Sequence, residues 1–136
     1  MRIRIIPDRY LPHILALLRI ATALMFMQHG SAKLFGVPHV AMFDGLKLFS
    51  VLGVGGVLEL VGGLLMLVGL FTRPVAFVLS GEMAVAYFGF HAAQSFWPMV
   101  NKGELAALYS FVFLFFSIAG PGSFALDRDD NLLRRI

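Results

Sequence analysis

The sequence predicts an all-α fold: a polytopic membrane four-helix bundle, one domain over residues 1–136, with both termini cytoplasmic. Three observations carry this. Hydrophobic residues make up 59% of the chain and charged ones only 14%, and the mean hydropathy is +0.84, outside ordinary soluble usage. Four apolar segments are each long enough for a helix to cross about 30 Å of hydrocarbon. Three of them nevertheless hold an ionisable residue near the middle, Arg19, Glu59 and Glu82. A charge near the bilayer centre costs roughly 2.5 to 3.5 kcal/mol on insertion scales, so such a group is expected to face the bundle interior and find a partner.

The first span covers about residues 11–34, with Pro12 at its start, where a missing N–H costs nothing. Arg2, Arg4 and Arg9 ahead of an apolar stretch resemble a cleavable signal. Arg19 interrupts that stretch and the run continues past the length of a signal core, so the helix is expected to be retained. In the loop over 35–50, Val40, Phe43, Leu46 and Phe49 recur at helical spacing, with Asp44 and Lys47 between them, which predicts a short interfacial helix.

The second span, 51–71, contains Gly53, Gly55, Gly56, Gly62, Gly63 and Gly69. Small residues at this spacing let helices approach closely in lipid, where packing replaces the hydrophobic effect. Gly55, Glu59, Gly62, Gly63 and Met66 share a face, which turns Glu59 toward the packed side. The third span starts at Pro74 and runs to about residue 92, followed by Phe96 and Trp97 as boundary aromatics before Pro98. The fourth, 103–119, stops at Gly120-Pro121-Gly122. Arg2, Arg4, Arg9, Arg73, Arg128, Arg134 and Arg135 flank one side, and Lys33, Lys47 and Lys102 the other. The bias of positive charge toward the inside places the arginine side in the cytoplasm.

Composition also excludes function classes. With zero cysteines the chain forms no disulfide, thiolate metal site or iron–sulfur cluster, which excludes the thiol-oxidising membrane bundles. The net charge of +3 comes largely from the chain ends and, without interleaved aromatics, does not point to nucleic acid. The glycines lie inside a membrane helix rather than between a strand and a helix, so no flavin or dinucleotide motif is present.

Helical rise converts positions into depths. Arg19 and Glu82 come out about 10 Å and about 13 Å from the same surface, which predicts a structural ion pair between them, with Glu59 as the other candidate partner for Arg19. Glu59 lies about 12 Å below the opposite surface. Above it come Gln28, His29 and Lys33 from the first helix and Tyr87, His91 and Gln94 from the third. Arg19, Thr22, Phe26, His29, Gly30 and Lys33 share a stripe from which Gln28 departs. The expected result is a cavity with an acid at its base and hydrogen-bonding groups at its mouth.

A quinone suits such a place, because its ring and tail are apolar, its carbonyls need donors, and its reduction needs protons. Glu59 and His29 are the candidate catalytic groups; Lys33, His91, Tyr109, Gln28 and Glu104 are the candidate cofactor-binding ones. A buried acid beside His and Lys is also what a purely structural network looks like. His29 and His91 have the similar depths that two haem ligands need, but histidines at membrane ends are more often interfacial hydrogen-bonders. A metal held by Glu59, His29 and His91 lacks a second close pair of ligands. Glu104 at the start of the fourth helix also suits the positive end of the helix dipole, and Tyr109 falls about 9 Å along from Gly103.

Leu18-Arg19-Ile20 and Gln28-His29-Gly30-Ser31-Ala32-Lys33-Leu34-Phe35-Gly36 resemble the first-helix signature of the DoxX family. Glu59-Leu60-Val61-Gly62-Gly63 and Gly69-Leu70-Phe71-Thr72-Arg73 are similar to its second-helix block. Asn101-Lys102-Gly103-Glu104, Tyr109 and the ending Gly120-Pro121-Gly122-Ser123-Phe124-Ala125-Leu126-Asp127 resemble its last helix and tail. The resemblance implies a four-helix inner-membrane protein linked to quinone-coupled oxidation of sulfur compounds or to oxidative and quinone stress, with distant relatives acting as membrane chaperones. Its polar positions are Arg19, His29, Lys33, Glu59, Glu82, Glu104 and Tyr109.

Two functions follow as expectations. One is a quinone-interacting subunit that receives reducing equivalents from an oxidoreductase partner or a small donor, since a chain without cysteine, haem or flavin is not a complete redox enzyme. The other is an assembly or chaperone-like protein, or a homo-oligomer, whose polar interior only holds its shape. A solute carrier fits less well, because four short helices without a repeat make alternating access hard to build.

Overall fold

The computed structural model describes residues 5–127. Arg2, Arg4, Arg128, Arg134 and Arg135, which contribute to the expected topology, lie outside the described residues. The regular structure of the described residues is all helical, with five α-helices: α1 (Leu11–Phe35), α2 (Val51–Val68), α3 (Thr72–Ala86), α4 (Pro98–Asn101) and α5 (Glu104–Ala119). Of these, α1 and α2 are long and apolar enough to cross a membrane, and α5 is apolar but shorter.

Local chemistry sets the helix ends. Ser50 caps α2, its Oγ accepting the Gly53 N–H at 3.1 Å. Gly69 closes the same helix in the left-handed region at φ 67°, and Leu70 N–H returns to the Leu65 carbonyl at 2.9 Å. The span expected over 51–71 therefore ends at Val68. The next helix begins earlier than expected, at Thr72, because the Asp127 carboxylate accepts the Phe71 and Thr72 amides at 2.7 and 2.8 Å. It continues past Ala86 into a π-helical turn, Tyr87–His91, closed by Ala92 N–H on the Tyr87 carbonyl at 2.9 Å.

The interfacial helix expected over 35–50 does not form. Only a 3-10 turn, Ala41–Phe43, is present. Asp44 then goes extended to meet His39 at 2.9 Å, and Gly45 turns left-handed at φ 73°, which ends any helical repeat.

α1 packs chiefly on α2 and α3 on α5, and α2 and α3 join the two pairs. At the α1–α2 crossing a Cβ on Gly30 would lie 2.7 Å from the Gly56 carbonyl oxygen and 2.6 Å from the Leu60 nitrogen, so only glycine permits this approach. Ser80 and Ser110 clasp α3 to α5 reciprocally, each hydroxyl donating to the other's carbonyl at 2.8 and 2.9 Å. Phe26, Met66, Leu79 and Phe113, one from each long helix, meet in a fully buried core, with Phe26 and Phe113 edge to face at 4.8 Å. The outward faces are also apolar: Leu17, Val61, Phe77 and Phe111 are all exposed at mid-helix. A helix that is apolar on both faces belongs in lipid.

Candidate functional site

Lys33 sits in the last turn of α1 and Glu59 in the middle of α2, and Lys33 Nζ donates to Glu59 Oε1 at 2.6 Å. Both side chains are withdrawn from solvent, 11% and 4% exposed. Two glycines one turn ahead of Glu59 make the approach. A Cβ on Gly56 would stand 3.0 Å from Lys33 Cβ and 3.4 Å from its Cδ, so the lysine lies along the helix surface that Gly56 leaves bare. A Cβ on Gly55 would stand 3.4 Å from Glu82 Oε1, so the neighbouring glycine does the same for a carboxylate arriving from α3. Lys33, Glu59 and Glu82 thus converge where three helices meet, and their charges interact.

Tyr109 of α5 completes the surround. It is buried, feels the Glu59 charge, and packs edge to face on Phe26 at 5.2 Å and on His29 at 6.2 Å. His29 is half-buried and close enough to sense Lys33. Lys33 is also roofed by the Phe43 ring, 5.6 Å from the ammonium. Glu59 Oε2 and Glu82 Oε2 are buried and have no hydrogen-bond partner among the described residues. Buried carboxylate oxygens are ordinarily satisfied, so each of these two is an acceptor that no protein group uses. Among the described residues no three of His, Asp and Glu gather as metal ligands.

Five of the residues singled out from the sequence come together here: Glu59, His29, Lys33, Tyr109 and Glu82. Others do not. The expected Arg19–Glu82 ion pair is absent. All five guanidinium N–H groups of Arg19 are used at the other end of α2, on the carbonyls of Met66 (2.6 Å), Leu67 (2.6 Å), Pro121 (2.9 Å), Ser123 (3.2 Å) and Phe124 (2.8 Å). The physical reason is the helix C-terminus: its unpaired carbonyls and negative dipole end offer a fully buried guanidinium more acceptors than one carboxylate does. Nor does Arg19 pair with Glu59, whose cationic partner is Lys33.

His91 makes its contacts with the loop beyond α3. Its Nδ1–H donates to the Asn101 carbonyl at 3.0 Å and its ring stacks on Tyr87 at 6.5 Å. Gln28 and Glu104 are exposed. Asn101 is fully buried and organises this loop: its amide donates to Ser95 O at 2.9 Å and Tyr87 Oη at 3.3 Å, and its Oδ1 accepts Gly103 N–H at 2.8 Å. Sequence reasoning gave no role to Asn101, Ser80, Ser110 or Asp127; Asn101 and Asp127 stand within the segments that carry the family resemblance, and Asn101 also lies between a proline-started turn and a glycine.

An apolar exterior wrapped around buried charge defines the class as a helical membrane protein. The DoxX family profile matches residues 14–92, which include Arg19, His29, Lys33, Glu59 and Glu82. The chain belongs to the DoxX family. It is 48% identical to an uncharacterized protein of Haemophilus influenzae over 88% of this chain and 92% of that one. It is 29% identical to inner membrane protein YphA of Escherichia coli, covering 86% of this chain and 90% of that one. It is likewise 29% identical to the uncharacterized membrane protein Rv3486 of Mycobacterium tuberculosis, over 82% and 77%. No solved structure matches the chain.

Proposed function

We propose that this protein is a multi-pass, four-span protein of the inner (plasma) membrane with both termini cytoplasmic, and that it binds a quinone as a subunit of a membrane oxidoreductase system. The likeness to YphA, an inner membrane protein, supports the location. The observation that carries the functional reading is Glu59, 3% exposed, held by Lys33 through one oxygen with the other left unbonded beside Tyr109.

The residues present fit such a ligand. Glu59 Oε2 is an acceptor for a quinol hydroxyl, the Lys33 ammonium and Tyr109 hydroxyl are donors for a carbonyl, and Phe26 and Phe113 supply an apolar wall. A bound quinone supplies the capacity to take two electrons and two protons. Glu59 and His29 are the groups placed to exchange protons with it, and Lys33 holds the Glu59 charge in place. The electrons come from a partner subunit or a small donor.

Solvent extraction and mass spectrometry of the protein purified in mild detergent tests this. Near-stoichiometric quinone, above an unrelated membrane-protein control, supports it. Control-level quinone moves the weight to the assembly reading, in which the polar centre serves packing alone.

A further inference from the structure

The buried site contains more anionic groups than cations to match them. Glu82 interacts with Glu59 of α2 and Lys33 of α1; around these, His29 of α1 senses Lys33 and Tyr109 of α5 senses Glu59. Arg19 is committed to five carbonyls at the other end of α2. Lys33 is in contact with Glu59 Oε1 at 2.6 Å. Glu82, half-buried, is therefore left without an ion-pair or hydrogen-bond partner among the described residues, with Oε1 against Gly55 and Oε2 buried. A carboxylate oxygen withdrawn from water with no partner favours the protonated form over the charged one.

We propose that Glu59 and Glu82 form a binding site for one exchangeable proton, carried by Glu82 while Lys33 is paired with Glu59. The lysine lies on bare helix surface beside Gly56, and both carboxylates are within range of its charge, so it can serve either one. When it turns to Glu82, the proton leaves Glu82 Oε2 and Glu59 Oε2 accepts it. Each carboxylate is then ionised only while it holds the lysine, and the step needs no oxidant or reductant. The protein is in this sense a proton carrier between Glu82 of α3, which lies against Gly55, and Glu59, one helical turn further along α2. This holds with no quinone bound, so it stands or falls separately from the proposed function.

Infrared spectroscopy of the protein in lipid vesicles at neutral pH, with exchange into deuterium oxide, reads the carbonyl stretch of a protonated carboxylic acid. The wild-type chain is expected to show a buried, deuterium-shifted band. Glu82→Gln removes it. Glu59→Gln also removes it, because the freed Lys33 ionises Glu82, and Lys33→Met strengthens it, because Glu59 loses its partner. If Lys33→Met fails to fold, the two glutamine variants, which keep size and shape, decide alone. Absence of the band in the wild-type protein, or its persistence in folded Glu82→Gln, overturns the proposal.

Discussion

Lys33 and Glu59, 26 positions apart, meet at 2.6 Å and tie the last turn of α1 to the centre of α2. Removing one member of such a pair strands a buried charge, which costs about 3–5 kcal/mol, whereas replacing both by apolar residues of similar size is close to neutral. Lys33→Met is expected to lower unfolding stability by about that amount, and adding Glu59→Leu to recover most of it. Unfolding in mixed micelles measures both; a double variant no more stable than the single one would show that the pair has no mutual energetics.

Arg19 is a second, separate fixture. Its planar fork matches five carbonyls, two from the end of α2 and three from the segment 121–124. Lysine has three donors and no fork. Arg19→Lys is thus expected to be destabilised despite keeping the charge, by about 2 kcal/mol, and Arg19→Leu by about 4 kcal/mol. Equal stability of Arg19→Lys and the wild-type protein in the same assay would contradict the clamp.

The clamp and the site show what the sequence makes legible. Charges within apolar runs announce themselves by composition, and hydropathy locates the spans to within a few residues at α1 and α5. Partner choice is set by helix rotation, which depth along the axis does not encode. Arg19 and Glu82 also end at different levels of α2, Arg19 on the Met66 and Leu67 carbonyls at its C-terminal end and Glu82 against Gly55 near its start, so backbone carbonyls that no side-chain pattern reveals take the place of the expected pair. Gly55 and Gly56 are visible as small residues, but which side chain each one admits depends on how α1 and α3 lie against α2. In the loop over 35–50 a helical spacing of apolar residues was overridden by a local left-handed turn at Gly45.

Gly30 sets the α1–α2 approach, with the Gly56 carbonyl 2.7 Å from where a Cβ would sit. Because that atom is backbone, it cannot move aside as a side chain does. Gly30→Val is expected to force the helices apart and to loosen the Lys33–Glu59 contact. Backbone amide exchange should rise in both helices; unchanged protection would show that the crossing tolerates the added bulk.

Asp127, outside the spans, caps α3. Burial pushes its carboxyl up, but hydrogen bonds from Thr72 and Phe71 and the Arg19 charge outweigh this and hold it below the ordinary aspartate value. A depressed folded value means the contribution is complete above the ordinary aspartate pKa and is lost as pH falls through the folded one. Acid should therefore release the 121–127 segment from α3 below about pH 4, and Asp127→Asn should abolish that pH dependence. Proteolysis of the segment across an acid titration checks it; identical profiles for the two proteins would count against the cap.

The most direct test of the functional reading compares quinone content in wild-type protein and Glu59→Gln, purified side by side and both shown to be folded. The account expects near-stoichiometric quinone in the first and a large loss in the second. Equal quinone in both would contradict the role given to Glu59.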